Sequence, residues 1–567
     1  MHCVHRLLSF IDGLGAWNAP YDIGVAYDKG SCPPVLFFTD IKTREYEDMN
    51  GAESVLKALE AAGVEVCFAN PGTSEMHLVS AIDRSPGMRP VLALFEGVVS
   101  GAADGYARMS GKPAACLLHL GPGFANAMAN IHNASRAGSP MINLVGDHAT
   151  YHLQYDAPLN SDIEAIVSSV SDWTRRSKDA AGLVQDVADA IGAANSAPGK
   201  IASLIVPADL AWSKAPEPVA PSAPAAFTTP DEQALESGLA ALTSGEPCAI
   251  MLGGNAMVGE ALETAGRIAA TTGASLITDC FPARMQRGAG VVRVARIPYF
   301  AEMAVDYMSQ FKHLVIVGNK PPVAFFAYPG KASWLTPESC EIHDIVDASG
   351  DLSGLLNQMA EKLNADAEPV RAPAGAPPIP QGSLTIEGVA AVMAAMIPED
   401  AIVSDEGATS SMPLFPMTAG AARHEWLCLT GGSIGQGLPL AAGAAIACPD
   451  RKVICMSGDG GAMYTVQALW TMARENLDVV TVIYNNSSYA ILNIEFMRTG
   501  AGMPGKKAAS MLSLEQPELN WVSLAEGMGV RASKATTVEE FSKAMEDALA
   551  HKGPTLIDAV VPPLTLG

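Results

Sequence analysis

The stretch "VICMSGDGGAMYTVQALWTMARENLDVVTVIYNNSSYAIL", residues 453–492, decides the fold. Two apolar runs, VICMS and VVTVIY, each break into small polar residues, and a helical pattern separates them. Continuous apolar strands between helices are buried on both faces, which is the pattern of a parallel sheet. Ligands on such sheets bind beyond the carboxyl ends of the strands. Gly458, Gly460 and Gly461 place small residues where a helix is expected over 462–473, and the unpaired N–H groups and dipole of a helix start favour phosphate. Asp459 puts a carboxylate in the same place, where it would repel a diphosphate unless a hard divalent cation lay between them. Magnesium takes one or two protein oxygens together with phosphate oxygens. Asn486, 27 positions after Asp459, ends the second strand and can add an amide oxygen.

The rest of the composition agrees with a large buried α/β protein. The chain has 567 residues and 58.9 kDa, with 49% hydrophobic and only 17% charged residues, more than one hydrophobic core can serve. A net charge of -24 repels phosphate backbones and anionic membranes, so neither nucleic acid nor a membrane is expected as a partner. The ten cysteines are scattered without a C-x-x-C pair and read as reduced core residues of a cytoplasmic protein. No apolar run reaches the roughly 20 residues of a membrane span, and the first residues do not read as a secretory signal.

Residues 1–48 lack periodicity and are expected to be an extension outside the folded core. From Met49 the text is orderly: "MNGAESVLKALEAAGVEVCFANPGTSEM" reads as helix, strand and turn. Two Pro/Ala-rich stretches, 214–230 and 364–382, read as extended linkers. Three domains follow, 49–215, 230–365 and 383–567, each expected to hold a parallel sheet flanked by helices.

The paired turns resemble those of thiamine diphosphate (ThDP) enzymes, which carry Gly-Asp-Gly followed one strand later by Asn-Asn. The resemblance implies that Asp459, the Asn486 side chain and the Ser488 carbonyl ligate Mg2+, with Gly458, Gly460, Gly461 and Tyr489 beside the diphosphate. In "PVLALFEGVVSGAADGYARMSG", Glu96 alone would read as a helix cap or surface residue. The family has a glutamate at this point. A neutral carboxyl in an apolar setting can share a proton with the cofactor's aminopyrimidine, whose imino form then deprotonates the thiazolium carbon. In "LTGGSIGQGLPLAAGAAIA" (429–447) the family match makes Ile434 the wedge that bends ThDP and the Gly432 carbonyl an acceptor for its amino group.

"FANPGTSEM" and "LLHLGPGFANAMANIHNA" match the pyrimidine-binding domain of acetolactate synthases and, more closely, benzoylformate decarboxylase. By that match His119 is an active-site histidine, Asn126 contacts the cofactor, and Thr73 stands at a substrate-binding serine; without it, His119 would read as a core histidine. The decarboxylase's second histidine is absent from "KPPVAFFAYPGK", where Phe325, Phe326 and Ala327 stand instead. The synthases' His-Glu-Gln is here Phe95-Glu96-Gly97, and their FAD-associated segment is missing, so FAD is not expected.

The resemblance implies decarboxylation of a 2-oxo acid through an enamine, followed by carboligation as in acetolactate synthase. The alternatives are a non-ligating decarboxylase, a 2-hydroxyacyl-CoA lyase and a catalytically silent scaffold of the same fold. Thr73, Phe325, Phe326, Ile491 and Leu492 are the candidate substrate pocket. Glu96 and Asp459 fall in different domains, and in the family that the chain resembles such residues meet across a subunit interface, so the resemblance implies a homodimer with active sites at the interface, paired into a homotetramer.

Overall fold

A computed structural model describes residues 49–563. The extension expected over 1–48 lies outside the described residues. The first helix, α1 (Gly51–Ala61), starts at a reciprocal cap: Asn50 Oδ1 accepts from Glu53 N and Glu53 Oε2 accepts from Asn50 N, each at 2.9 Å. Gly63, with φ +77°, follows its end.

The described strands form three sheets. The first contains β1 (Val66–Asn70), β2 (Arg89–Leu92), β3 (Ala114–Leu118), β4 (Met141–Asp147), β5 (Trp173–Arg176) and β6 (Ile201–Pro207) in the order β2-β1-β3-β4-β6-β5. The second contains β7 (Cys248–Leu252), β8 (Ser275–Thr278), β10 (Ala295–Arg296), β11 (His313–Val317) and β12 (Glu341–Val346), ordered β10-β8-β7-β11-β12. The third has β13 (Ala401–Glu406), β14 (His424–Cys428), β15 (Val453–Gly458), β16 (Val479–Asn485), β17 (Arg531–Ala535) and β18 (Thr555–Val560). Its order is β17-β18-β16-β15-β13-β14-β9, closed by β9 (Met285–Arg287) from the middle of the chain. The β9–β14 pair is antiparallel and the others are parallel. Stretches 214–230 and 364–382 carry no helix or strand, only isolated bridges at Lys214, Thr228 and Arg371. This is the extended character their prolines imply.

Two helices join the first sheet to the third. In α2 (Glu96–Ser110) and the later helix α4 (Gly437–Ala447), small residues let the backbones touch. A Cβ at Gly105 would stand less than 3.0 Å from the Leu440 carbonyl oxygen, and one at Gly443 equally close to the Ala102 oxygen. Beside that contact, Asp104 and Arg108 are buried as an ion pair at 2.7 Å. Arg108 also donates to the carbonyls of Ala283 (3.1 Å) and Cys428 (2.8 Å) and to Thr430 Oγ1 (3.0 Å). Asp104 further accepts from Ser139 Oγ at 2.5 Å and Gln436 Nε2 at 2.6 Å.

One expected element differs. The continuous helix expected over 462–473 is α5 (Asp459–Ala462), a 3-10 turn (Met463–Thr465) and then α6 (Ala468–Arg474). Two glycines and the β-branched Thr465 and Val466 propagate a helix poorly, and Thr465 Oγ1 turns aside to the Gly435 carbonyl at 2.8 Å.

Arg108→Leu should leave the Asp104 carboxylate buried without its cation and cost about 3–5 kcal/mol of stability. Denaturant unfolding checks this, and Asp104→Asn in the same chain should restore part of the loss.

Candidate active site

The ends of β15 and β16 lie side by side, with Gly458 opposite Tyr484. Asp459, 2% exposed, accepts from Gly460 N at 2.8 Å and, across the two strands, from Ser487 N at 2.6 Å. Burial pushes its carboxyl up to about 6, although the N–H groups of Gly460, Ser487 and Asn486 pull the other way. Asn486 Oδ1 accepts from Ser488 N at 2.9 Å while its Nδ2 donates to Ser410 Oγ at 3.3 Å. Ser487 sits at φ +52°, so the chain reverses within the turn. Tyr489 precedes α7 (Ala490–Arg498), and its ring lies on Gly460, where a Cβ would clash. Open space stands where Gly458 would carry a Cβ.

Beneath this turn is an acid that the motif reading passed over. Glu406, at the end of β13, takes the N–H groups of Gly435, of Gln436 at 3.3 Å and of Gly437 at 2.6 Å, so it caps α4 from outside. Burial raises it to about 7. The same carboxylate lies 3.4 Å from where a Cβ of Gly461 would stand, and so connects the acidic turn to the 431–436 loop. Asn133 grips Ser433 of that loop at both its carbonyl (2.8 Å) and its N–H (3.2 Å). Gly432 takes φ +74°, with the Phe325 ring directly against it. Ile434 is half-buried.

A second cluster stands at the first sheet. Glu96 opens α2, is 9% exposed, and accepts from Asn126 Nδ2 at 3.0 Å. His119 stands at the end of β3, at the start of α3 (Leu120–Ala137). A Cβ on Gly123 would lie 3.3 Å from both Glu96 Oε1 and the His119 Cβ, so the two side chains share one wall. Glu75, another residue that the sequence reading missed, is fully buried and lies 2.8 Å from His119 Nδ1. It also accepts from Gly72 N at 2.7 Å and from Ser74 Oγ at 2.5 Å. Thr73 is exposed; the hydroxyl that meets His119 is Ser74, at 3.2 Å. The only signal in the "GTSEM" text was an acid two residues beyond the expected contact.

Phe325 belongs to an aromatic wall with Phe281, Tyr299 and Phe326, at ring-centroid distances of 5.9, 5.7 and 5.1 Å. The Tyr299 hydroxyl interacts with Tyr328, and burial raises its pKa. On α7, Ile491 is half-buried and Leu492 exposed, while Glu495, one turn beyond Ile491, faces the same tyrosines. Neither of its buried oxygens meets a well-placed donor, and Arg498 Nε stands 3.9 Å away. The Arg498 guanidinium is committed to Glu302 at 2.6 and 2.9 Å and lies over Phe300 and Tyr328.

Two family models match this chain: the thiamine pyrophosphate enzyme N-terminal TPP binding domain over residues 49–166, and the C-terminal TPP binding domain over residues 411–559. A Mycobacterium tuberculosis protein, provisionally named acetolactate synthase large subunit IlvX, is 50% identical over 517 residues, 91% of this chain and 100% of its own. Benzoylformate decarboxylase of Pseudomonas aeruginosa is 28% identical over 528 residues, 88% of this chain and 96% of its own. The solved ThDP-dependent 4-hydroxybenzoylformate decarboxylase of Rhodococcus jostii RHA1 superposes with a TM-score of 0.79 at 25% identity, covering 91% of this chain and 99% of that one.

Glu406 gives stability a defined pH dependence. Between pH about 4.5 and about 7 the folded chain keeps a proton that the unfolded chain releases, so stability falls as pH rises through that window, and the loss is complete above it. Glu406→Gln should flatten this slope by about 3 kcal/mol, read from denaturant midpoints across the window.

Proposed function

The chain belongs to the thiamine pyrophosphate enzymes, and from that premise we propose a ThDP- and magnesium-dependent enzyme that decarboxylates a 2-oxo acid and passes the acyl unit to a second carbonyl, as an acetolactate synthase does. The observation that carries this reading is the junction of Asp459 and the Asn486 turn at two neighbouring strand ends. Its donors fit the cation: a buried carboxylate, an amide oxygen and the Ser488 carbonyl are all hard oxygens, the kind magnesium prefers. Gly458 borders open space that a diphosphate could take, and Tyr489 closes the side over Gly460.

When bound, ThDP supplies a nucleophilic carbon and an electron sink for the bond to carbon dioxide. The protein's own residues prepare it. Glu96 has one oxygen held by Asn126 and keeps the other for a proton exchanged with the aminopyrimidine. Gly432 would offer its carbonyl to the cofactor's amino group, and the half-buried Ile434 would supply an aliphatic surface against it. Glu75 fixes His119 through Nδ1 and leaves Nε2 for proton transfer at the reacting carbon. Ser74, Phe325, Phe326, Ile491 and Leu492 border the substrate space, and Thr73 lies at its rim. The pairing of half-buried His119 with buried Glu75 favours one rival, simple decarboxylation to an aldehyde.

The domain division 49–215, 230–365 and 383–567 belongs to the same reading. Among the described residues no hydrogen bond joins Glu96 to the Asp459 turn; Asn126 is its side-chain partner. A homodimer in which each turn is completed by the partner's glutamate, assembled into a homotetramer, accounts for this. No helix among the described residues is long and apolar enough to cross a membrane, and a cytoplasmic enzyme is the reading we adopt.

Incubation with ThDP, magnesium and pyruvate or benzoylformate, followed by NMR of the products, tests the proposal. Acetolactate should form from pyruvate, and Glu96→Gln should slow it by on the order of 100-fold or more. Free aldehyde instead would make the protein a decarboxylase. No carbon dioxide from either acid would sink the reading and turn attention to acyl-CoA substrates or a silent scaffold. His119→Ala should depress turnover far more than ThDP affinity; equal loss of both would make the residue structural.

A further inference from the structure

At the amino ends of β11 and β12, far along the strands from the ends where this fold binds its cofactor, two histidines and a glutamate converge. His313 opens β11 opposite Glu341, which opens β12, and His343 lies two residues on, along the same face. His313 Nδ1 and His343 Nε2 face each other at 3.2 Å, and Glu341 Oε2 lies 3.7 Å from His313 Nδ1. These three ligand atoms all lie within 4.8 Å of one another. His343 is 4% exposed, whereas the Glu341 side chain is 68% exposed and free to turn toward them.

The outer ring nitrogens determine what the inner ones present. His313 Nε2 lies 3.0 Å from Glu246 Oε2, and a carboxylate only accepts, so the proton of a neutral His313 sits on Nε2. His343 Nδ1 lies 2.9 Å from Ser237 Oγ, which also reaches the Ala234 carbonyl at 3.2 Å. With the hydroxyl hydrogen on that carbonyl, Ser237 accepts from His343 Nδ1, and the two inner nitrogens, 3.2 Å apart, both present lone pairs that a single cation can take.

We propose that His313, His343 and Glu341 bind a zinc ion that joins β12, the edge strand of the second sheet, to β11. Tetrahedral zinc holds two imidazole nitrogens at about 2.0–2.1 Å each, which sets them about 3.3 Å apart, close to the spacing present. Two imidazoles and one carboxylate suit zinc, with water in the fourth position. Glu246 and Ser237 hold the ligand rings from behind, the arrangement that orients metal-bound histidines and strengthens them as donors. The site is independent of the cofactor and of the reaction proposed above.

Zinc sulfate titrated by calorimetry into the full chain, first stripped with EDTA and dialysed, tests this in the absence of ThDP and magnesium. One zinc per chain should bind and raise the melting temperature. His313→Gln and Glu341→Gln should each abolish uptake, Glu246→Gln should weaken it by about 10-fold or more, and Asp459→Asn should leave it unchanged. Uptake that survives His313→Gln and Glu341→Gln together, or a chain of unaltered fold that binds no zinc, overturns the proposal; in the latter case a shared proton bridges the two rings.

Discussion

Asp104 and Arg108 stand one turn apart on α2, and through them that helix reaches both other sheets. Arg108 holds carbonyls from the segment between β8 and β9 and from the end of β14, while Asp104 takes the side chain of Gln436 at the start of α4. A buried ion pair is stable only if every remaining donor and acceptor is occupied, and here they are occupied by groups from three parts of the chain. The touching backbones of α2 and α4 require this, because Gly105 and Gly443 leave no space for a side chain or water to solvate the charges. The 431–436 loop inherits its position from the same clamp, since Thr430 and Gln436 flank it.

The site is then a matter of which polar groups stand at strand ends. Asp459 and Glu406 are both buried and both raised, against backbone N–H groups that partly stabilise their charged forms. Their roles diverge through what else they meet. Glu406 has three N–H donors from one loop and is spent on shaping it. Asp459 takes one N–H on each oxygen, from Gly460 beside it and from Ser487 across the neighbouring strand end, and so ties the two turns together. His119 follows the same logic at the first sheet, with Glu75 behind it and Gly72 beneath its ring.

The strand ends and the paired turns were legible because apolar runs and glycines declare themselves at short range. Alternation of strand and helix gave the three parallel sheets for the same reason. What escaped were the long-range partners. Glu75 looks like one more polar residue in a turn, and Glu406 follows Asp405 in text that could equally be surface. Asp104 and Arg108, four apart on a helix, have the spacing that exposed ion pairs also have. Only burial separates these from surface charges, and burial depends on residues hundreds of positions away. The expected helix over 462–473 was misread for the opposite reason: its apolar spacing was helical, but Thr465 found a better acceptor in Gly435.

The placement of β9 bears on how such a chain can be recombined. Residues 285–287 arise among the strands of the second sheet, yet they cover the outer edge of β14 in the third. The proline-rich stretches look like natural seams, but a crossover there would exchange the middle of the chain together with a strand that its neighbour needs. A chimera that keeps the third sheet and replaces the middle segment must therefore carry over these residues or uncover a row of unpaired backbone groups, the kind of edge through which sheets of separate molecules join.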